Sequence, residues 1–226
     1  MITLSTHVVG PLSTNCYLLH DEVASDAIII DPGGEGDYLS EQILARRAHL
    51  QAILLTHGHY DHALGLLPLM LNFPEAPIYL HAADHFLFAR GDASARYWSR
   101  DLPHDPLPPV SVLQSSELCN VTRFGTLQIE CLHTPGHTPG SCCFYSRDQG
   151  WLFTGDTLGE EGTSENNHAY TRPLELSASR ARLLRLPAAT QVYPGHGAST
   201  TLGSFAGLRC VYIHDNDDIS YGEMEP

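Results

Sequence analysis

The sequence predicts an α/β fold in which strands and helices alternate in two successive halves of the chain. Its 226 residues suit one domain of generous size, and 42% hydrophobic against 17% charged residues can form a full core. Stretches of strand character are followed by stretches of helical periodicity, and this order occurs twice. Two sheets packed face to face, with helices on both outer faces, satisfy this pattern, while periodicity alone leaves an ordinary doubly wound sheet open.

Short apolar runs bounded by turn residues predict the strands. The predicted strands are residues 16–19, 27–30, 52–55, 78–80, 127–132, 142–145, 151–153 and 191–193. The runs at 142–145 and 151–153 are close enough in the chain to form a hairpin.

Helical periodicity and capping residues predict the helices. The first helix has Asp37 as its N-cap. Its predicted apolar stripe comprises Leu39, Ile43, Leu44 and Leu50. A second helix starts near Asp61 and ends or bends near Pro68, because proline inside a helix removes a backbone hydrogen bond. Further helices are predicted around residues 82–88 and 177–186.

Two segments have no predicted regular structure. Residues 91–109 contain four prolines and mixed charge, which predicts a long loop. This segment is a candidate lid carrying Tyr97, Trp98 and Arg100, with a plain surface excursion as the alternative. The acidic tail from about residue 214 is expected to fray, and residues 1–226 are interpreted as a single domain.

The charge of the chain excludes several classes of function. There are 26 acidic and 12 basic residues, which gives a net charge of −14, and every basic residue is Arg. A surface of this sign repels phosphate backbones, so nucleic acid is not an expected partner. The absence of Lys excludes Schiff-base chemistry and a P-loop, although a local cluster of Arg could still hold a small anion.

The sequence predicts a cytoplasmic protein without membrane contacts and leaves its oligomeric state open. Residues 1–10 lack the basic and apolar regions of a signal peptide, and the apolar run at 64–71 is too short to span a bilayer. The cysteines form no CxxC pair and are interpreted as buried thiols in a reducing compartment. They are Cys16, Cys119, Cys131, Cys142, Cys143 and Cys210.

The segment 56–62 reads THGHYDH and follows a predicted buried strand. It places three of the 14 His residues of the chain beside an Asp, and accident is a poor explanation for this cluster. His57 and His59 point the same way from extended chain and can hold one metal ion. Asp61 and His62 lie where the chain turns into a helix and can point at a second position beside the first.

Completing two metal sites requires ligands from other loops. His137, Asp156 and His196 each follow a Gly and lie just beyond the end of a predicted strand. Loops at strand ends commonly carry catalytic and binding residues. Each residue alone could be a turn or a polar cap, but together with HxHxDH they indicate one metal centre.

Four motifs, THGHYDH, TPGHTPG, FTGDT and YPGHG, resemble the signature set of the metallo-β-lactamase superfamily. The similarity is greatest to its compact glyoxalase II-like (hydroxyacylglutathione hydrolase-like) metallo-hydrolases and runs from about Asn15 to Leu202. The resemblance implies a four-layer αβ/βα sandwich of two mixed β-sheets flanked by helices. It places a two-metal site between the sheet edges.

The resemblance also implies a role for each candidate ligand. His57, His59 and His137 would bind the first metal, whereas Asp61, His62 and His196 would bind the second. Asp156 would bridge both metals. Asp31 could orient a ligand His, with a turn-forming Asp before proline as the alternative.

This ligand set predicts hydrolytic chemistry with two divalent ions. Nitrogen and oxygen ligands suit Zn²⁺, with Fe or Mn as alternatives, and Cys142 and Cys143 are excluded because they lie in a predicted strand. Two ions about 3.5–4 Å apart would lower the pKa of a shared water, so that a metal-bound hydroxide attacks the substrate. Asp61 can accept the proton of that water and is therefore also the catalytic acid/base candidate. The site charge of about +1 favours an anionic small-molecule substrate.

The predicted function is a metal-dependent hydrolase acting on a thioester or related ester, of which a hydroxyacylglutathione-type thioester is one candidate. The chain departs from glyoxalase II in lacking the C-terminal helical domain and the Lys residues that hold glutathione. Residues 159–168 also replace the Gly-x-Gly-Arg-x-Asp stretch of compact members. Arg172 could substitute for that Arg, with a plain surface role as the alternative, and no residue is assigned to substrate binding.

The alternatives are a persulfide dioxygenase-like oxidoreductase with a single iron, and a lactonase. The missing Gly-Arg-type stretch weakens the first alternative. Gly159 weakens the second, because acyl-homoserine lactonases have a Tyr at this position. Antibiotic hydrolysis, nuclease activity and a purely binding role fit less well, since the seven ligand positions are all filled and the chain is acidic.

Overall fold

The computed structural model describes residues 1–98, 104–114, 121–159, 169–205, 209–213 and 219–223. Two six-stranded sheets form its centre, each with helices on its outer face. The predicted α/β sandwich of two mixed sheets is confirmed. None of the helices in the described ranges has the length and apolar character required to cross a bilayer.

The first sheet follows the order of the chain. Its strands are β1 (Ile2–Val9), β2 (Thr14–Asp21), β3 (Asp26–Ile30), β4 (His49–Leu54), β5 (Ile78–Tyr79) and β6 (Leu113–Gln114). Strands β1, β2 and β3 pair antiparallel, whereas β3, β4, β5 and β6 pair parallel. The carboxyl ends of β3, β4 and β5 therefore meet at one edge of the sheet.

The second sheet has the reverse spatial order, from β12 to β7. Its strands are β7 (Val121–Phe124), β8 (Leu127–His133), β9 (Cys142–Ser146), β10 (Trp151–Gly155), β11 (Gln191–Pro194) and β12 (Thr200–Thr201). Only β10 and β11 pair parallel, so their carboxyl ends also share an edge. A small antiparallel pair follows, β13 (Arg209–Ile213) and β14 (Ile219–Glu223).

The helices cover the outer faces of the two sheets. They are α1 (Gly36–Ala45), α2 (Leu66–Asn72), α3 (His85–Phe88), α4 (Gly91–Trp98) and α5 (Pro173–Leu183). Short 3₁₀ turns at Tyr60–His62 and Ala82–Asp84 precede α2 and α3.

Three apolar clusters separate the four layers. Alternate residues of β3 point to opposite faces of the sheet, as the period of a strand requires. Ile29 packs with Leu39 and other residues of α1 and α2 in the outer cluster of the first sheet. Ile28 packs with Phe144 and other residues between the two sheets. Leu183 of α5 packs with the outer face of the second sheet.

Several predicted elements are corrected by the structure. Helix α1 begins at Gly36 with Glu35 as its N-cap, so Asp37 lies in the first turn instead of capping it. Leu44 is exposed, and Leu50 belongs to β4, so neither continues the apolar stripe of α1. Pro68 does not end a helix: it lies in the first turn of α2, where a missing backbone N–H costs no hydrogen bond.

The proposed loop at 91–109 is also partly wrong, because 91–98 form α4. Ala95 of α4 packs against Tyr60 and Leu64, beside the predicted ligand segment. Tyr97 and Trp98 are exposed at the end of α4, while Arg100 lies outside the described residues, as do 214–218 and 224–226 of the acidic tail. Within that tail, 219–223 pair with 209–213 as β14 and β13.

Neighbouring residues of α1 test this packing. Ile43 is fully buried, whereas Leu44 is 57% exposed. We expect Ile43→Ala to lower the free energy of unfolding by about 2–5 kcal/mol, because a cavity forms in the outer cluster. Leu44→Ala is the matched control and should change it by less than about 0.5 kcal/mol. Urea denaturation measures both, and equal losses would contradict the assigned face of α1.

Candidate metal centre

All seven predicted ligands lie together, in loops that follow the strand ends of both sheets. His57 follows β4, Asp156 follows β10 and His196 follows β11, while His137 lies in the loop between β8 and β9. The potential ligand atoms form two sets whose members lie within 4.8 Å of one another. The first set is His57, His59, His137 and Asp156, and the second set is Asp61, His62 and His196.

Three imidazole nitrogens converge in the first set. Nε2 of His57 lies 3.0 Å from Nδ1 of His59, and Nε2 of His137 lies 3.2 Å and 3.1 Å from the same two atoms. His57 and His137 are almost completely buried. Three nitrogens at this spacing around a common point can act together as ligands of one ion.

The second set places one carboxylate between two imidazoles. Oδ2 of Asp61 lies 3.2 Å from Nε2 of His196 and 3.5 Å from Nε2 of His62. The His62 side chain is fully buried, whereas that of His196 is 34% exposed. Solvent therefore reaches the pair of sets from the side of His196.

Asp156 faces both sets with different oxygens. Its Oδ2 lies 3.5 Å from Nε2 of His137 and 4.0 Å from Nε2 of His57. Its Oδ1 lies 3.6 Å from Nε2 of His62 and 3.8 Å from Nε2 of His196. One carboxylate thus links the two sets, which is the arrangement expected of a bridging ligand.

Hydrogen bonds orient several imidazoles so that Nε2 faces the centre. Asp31 accepts the single hydroxyl hydrogen of Thr56 at 2.7 Å, so Oγ1 of Thr56 accepts from Nδ1 of His57 at 3.0 Å. Nδ1 of His62 donates to Asp31 at 2.9 Å, and Nδ1 of His196 donates to the carbonyl of Leu12 at 3.1 Å. A ligand His held in this way keeps its other nitrogen available for a metal.

The residues present fit a metal ion. Nε2 of His62 is buried and has no hydrogen-bond partner among the residues that the structure describes. A buried polar atom without a partner is costly, and a cation at the centre of the second set would satisfy it. The donors are imidazole nitrogens and carboxylate oxygens, which suit zinc, iron or manganese.

Two histidines of the first set, His57 and His59, have depressed pKa values. Burial lowers the pKa of His57 well below its usual value, and the neighbouring imidazoles His62 and His137 add to the effect. Burial also lowers the pKa of His59 to about 3, with His137 acting in the same direction. These imidazoles are therefore neutral near pH 7, which is the form that binds metals.

The second set has the opposite electrostatic character. Burial alone would lower the pKa of His62, but the surrounding carboxylates of Asp61, Asp31 and Asp156 raise it to about 10. Burial would raise the pKa of Asp61, but the adjacent His62 and the hydrogen bond from His196 hold it well below its usual value. The carboxylates around His62 therefore favour positive charge at the second set.

Gly195 allows the close approach of the two sheets at the centre. A Cβ atom at this position would collide with Oδ1 of Asp156 and lie 2.7 Å from Cε1 of His62. The loop before His196 is also held from the first sheet. The side-chain amide of Asn15 donates to the carbonyls of Pro194 at 3.0 Å and Gly197 at 2.8 Å.

The two cysteines that the sequence excluded as ligands, and the possible anion partner Arg172, belong to neither ligand set. Cys142 and Cys143 are buried in β9, and burial raises the pKa of Cys143 to about 12, so its thiol is protonated near pH 7. Arg172 is exposed and pairs with Glu175 at 2.9 Å. Residues 160–168, where the sequence departs from the compact members, lie outside the described residues.

Thr56 contributes to the centre and was not singled out from the sequence. Its backbone N–H donates to Oδ1 of Asp31 at 2.7 Å, in addition to the hydroxyl bond described above. The sequence feature that could have identified Thr56 is its position between a buried strand and the first His of HxHxDH. A hydroxyl there can orient the adjacent imidazole.

Comparisons with known proteins agree with this fold. Residues 9–196 match the family model of the Metallo-beta-lactamase superfamily, and the chain belongs to this superfamily. The hydroxyacylglutathione hydrolase GloC of Haemophilus influenzae is 33% identical over 196 residues, covering 86% of this chain and 91% of the relative. The "Probable metallo-hydrolase YqgX" of Bacillus subtilis is 31% identical over 193 residues, which cover 85% of this chain and 89% of the relative.

A solved structure extends the comparison to three dimensions. The crystal structure of TTHA1623 in a di-iron-bound form has 37% sequence identity and a TM-score of 0.77. It covers 89% of this chain and 96% of that chain. The chain is therefore similar over most of its length to a protein that holds two iron ions.

The contacts of Asp31 generate a test of the centre. Replacement by Asn keeps the size of the side chain but removes the charge and one acceptor. Its NH₂ group then faces either the backbone N–H of Thr56 or both the Thr56 hydroxyl and Nδ1 of His62. We expect Asp31→Asn to weaken metal binding by about 10- to 100-fold, measured by chelator competition. Asp37→Asn, in the exposed first turn of α1, is the control and should bind metal as the wild type does. Unchanged affinity in Asp31→Asn would contradict the orienting role.

Proposed function

We propose that this protein is a binuclear metal-dependent hydrolase that cleaves a thioester or a related ester. The observation that carries the proposal is Asp156, whose two oxygens face two separate sets of ligands. Zinc is the metal proposed first, with iron or manganese as alternatives for the same donor set. Two divalent ions held here would supply Lewis acidity and lower the pKa of water toward neutrality.

The residues of the chain have distinct roles in this reaction. His57, His59 and His137 would hold one ion, Asp61, His62 and His196 would hold the other, and Asp156 would be a ligand shared by both. Asp61 is ionised near neutral pH, because His62 and His196 hold its pKa low, and its carboxylate can accept a proton from water. The partial exposure of His196 marks the side from which substrate and water enter.

The substrate class follows from the charge of the centre and from one named relative. Two divalent ions exceed the charge of the ligand carboxylates, so an anionic small molecule is favoured. GloC of Haemophilus influenzae is a hydroxyacylglutathione hydrolase by name, and a thioester of this type is the first substrate to test. Neither nucleic acid nor a membrane is proposed as a partner, and a cytoplasmic location remains our proposal.

Arg90 is the guanidinium that we propose as a partner of the substrate anion. It is exposed, and its guanidinium donates a hydrogen bond to the Tyr170 hydroxyl at 3.1 Å. The ring of Phe86 packs edge-on against the ring of Tyr170. Tyr170 precedes Thr171, whose hydroxyl donates to the carbonyl of ligand His137 at 3.4 Å. An aromatic surface beside a guanidinium can contact an acyl group and a carboxylate at once.

The bridging carboxylate can be tested by substitution. We expect two metal ions per wild-type chain by elemental analysis. We expect Asp156→Ala to lower kcat by about 100-fold or more, because the variant loses the carboxylate proposed to hold both ions. Circular dichroism should show a retained fold. Asp148→Ala, in the exposed turn between β9 and β10, is the matched control.

Two outcomes would contradict the proposal. Wild-type turnover in Asp156→Ala would mean that this carboxylate does not bridge. One iron per chain, obtained reproducibly from metal-supplemented growth, would instead favour the persulfide dioxygenase-like alternative. A substrate panel of thioesters, lactones and phosphodiesters separates the hydrolytic possibilities.

The role of Arg90 is tested by the charge of the substrate. We expect Arg90→Gln to raise KM about tenfold for a thioester with a free carboxylate, with kcat almost unchanged, because one charge-assisted hydrogen bond is lost. The effect should disappear with the methyl ester of the same thioester. Arg147→Gln is the control, since Arg147 pairs with Glu130 at 2.9 Å. Equal KM values for Arg90→Gln and wild type would refute the assignment.

A further inference from the structure

Asp84 is a buried carboxylate beside the centre that the mechanism above does not use. It ends the 3₁₀ turn after β5, at the same sheet edge as Asp31 and His57, and its relative exposure is 0%. Its Oδ2 accepts from the backbone N–H of Gly58 at 2.9 Å and from the hydroxyl of Thr138 at 2.6 Å. Its Oδ1 accepts from the backbone N–H of Gly140 at 2.6 Å.

These three donors belong to the two loops that carry the histidines of the first set. Gly58 lies between His57 and His59, and Thr138 directly follows His137. The carboxylate therefore ties the loop after β4 to the loop between β8 and β9. Its three acceptor contacts fall directly beside His57, His59 and His137. Asp61 and His62 lie further along the loop after β4, so Asp84 acts mainly on the first set.

Glycine positions show that the contact is closely fitted. A Cβ at Gly140 would lie 2.6 Å from Cγ of Asp84, and a Cβ at Gly58 would lie 2.7 Å from its backbone carbonyl oxygen. Real Cβ atoms do not approach other atoms so closely, so both loops come near Asp84 only because these residues are glycines. The hydroxyl of Ser141 further supports Thr138, since it accepts from its backbone N–H at 3.0 Å.

We infer that Asp84 is a positioning residue that raises the metal affinity of the first set more than that of the second. It holds His57, His59 and His137 at a common spacing before any ion binds, which removes the cost of ordering two loops on binding. Asp31 supports the centre through Thr56 and His62, whereas Asp84 acts through backbone N–H groups and one hydroxyl. This inference rests on the proposal that the seven residues bind metal ions.

The decisive variant is Asp84→Asn, which keeps the size of the side chain. An amide has one oxygen, so in either orientation its NH₂ group faces a former donor, namely Gly140 or the pair Gly58 and Thr138. We expect the first set to bind zinc about 10- to 100-fold more weakly, as for other residues that orient ligands. The affinity of the second set should fall by a smaller factor, because Asp61 and His62 lie further from Gly58 along the same loop.

Chelator competition followed by elemental analysis measures this difference. At an intermediate chelator concentration, wild type should retain two zinc ions per chain and Asp84→Asn should retain one. Anomalous diffraction from Asp84→Asn crystals, equilibrated with zinc at the same chelator concentration, then identifies which of the two metal positions has lost its ion. These readouts require no assumption about the substrate.

Asp26→Asn is the matched control. Asp26 is also buried, accepting from the side chain of Gln51 at 2.7 Å and from the backbone of Thr126 at 2.9 Å, but it begins β3 at the opposite edge of the sheet. Its replacement should lower stability while leaving two zinc ions bound. If Asp84→Asn fails to fold, Thr138→Val removes one of the three donors and should weaken the first set selectively, by a smaller factor.

The possible results distinguish a failure of this inference from a failure of the proposed function. Two ions held with wild-type affinity in Asp84→Asn would overturn the inference alone. Equal weakening of both positions, or the same loss in Asp26→Asn, would also overturn it, because the effect would then be general destabilisation. A wild-type protein that binds no metal would overturn the proposed function itself.

Discussion

The carboxylate of Asp31 connects the architecture of the first sheet to the geometry of the metal centre. It follows β3 directly and accepts two bonds from Thr56, which follows the neighbouring parallel strand β4. It also accepts from His62 of the second ligand set. Parallel pairing of β3 and β4 brings these groups to one edge, so the register of two strands positions the ligands that come after them.

The carboxylates around the two ligand sets explain why this part of the protein favours a cation. Asp31, Asp61, Asp84 and Asp156 all place carboxylates around the two ligand sets, and the chain has a net charge of −14. A buried carboxylate is stable only with hydrogen bonds or an opposite charge. Asp31 and Asp84 have backbone and side-chain donors, whereas Asp61 and Asp156 face mainly imidazoles. Divalent ions would therefore supply the positive charge that Asp61 and Asp156 do not receive in full from the protein's own hydrogen-bond donors.

The sequence predicted which side chains come together, because each of the seven has a local signal. Spacing within HxHxDH reflects the short path from strand to 3₁₀ turn, and His137, Asp156 and His196 each follow a glycine at a strand end. Which strands are parallel neighbours depends on long-range pairing, and no local pattern contains this information. Asp84 illustrates the limit, since it is significant only once β5 is known to lie beside β4.

The differences between the predicted and observed helices and strands also have physical causes. The prolines that suggested a loop at 91–109 lie beyond Trp98, so α4 is complete before they occur. Leu44 has the spacing of a buried residue, but the outer cluster of the first sheet is filled by Leu39 and Ile43 from α1. Strand β1 carries no strong apolar alternation and is defined by its pairing with β2.

The order of the ligands along the chain has a consequence for biosynthesis. The first set includes Asp156, and the second requires His196, so neither is complete in a nascent polypeptide that has emerged only through the first sheet. Both β10 and β11 must leave the ribosome and dock before the last ligand arrives. Full loading with metal, as proposed above, would therefore be a late event, which follows folding of the second half of the chain and cannot template the folding of the first.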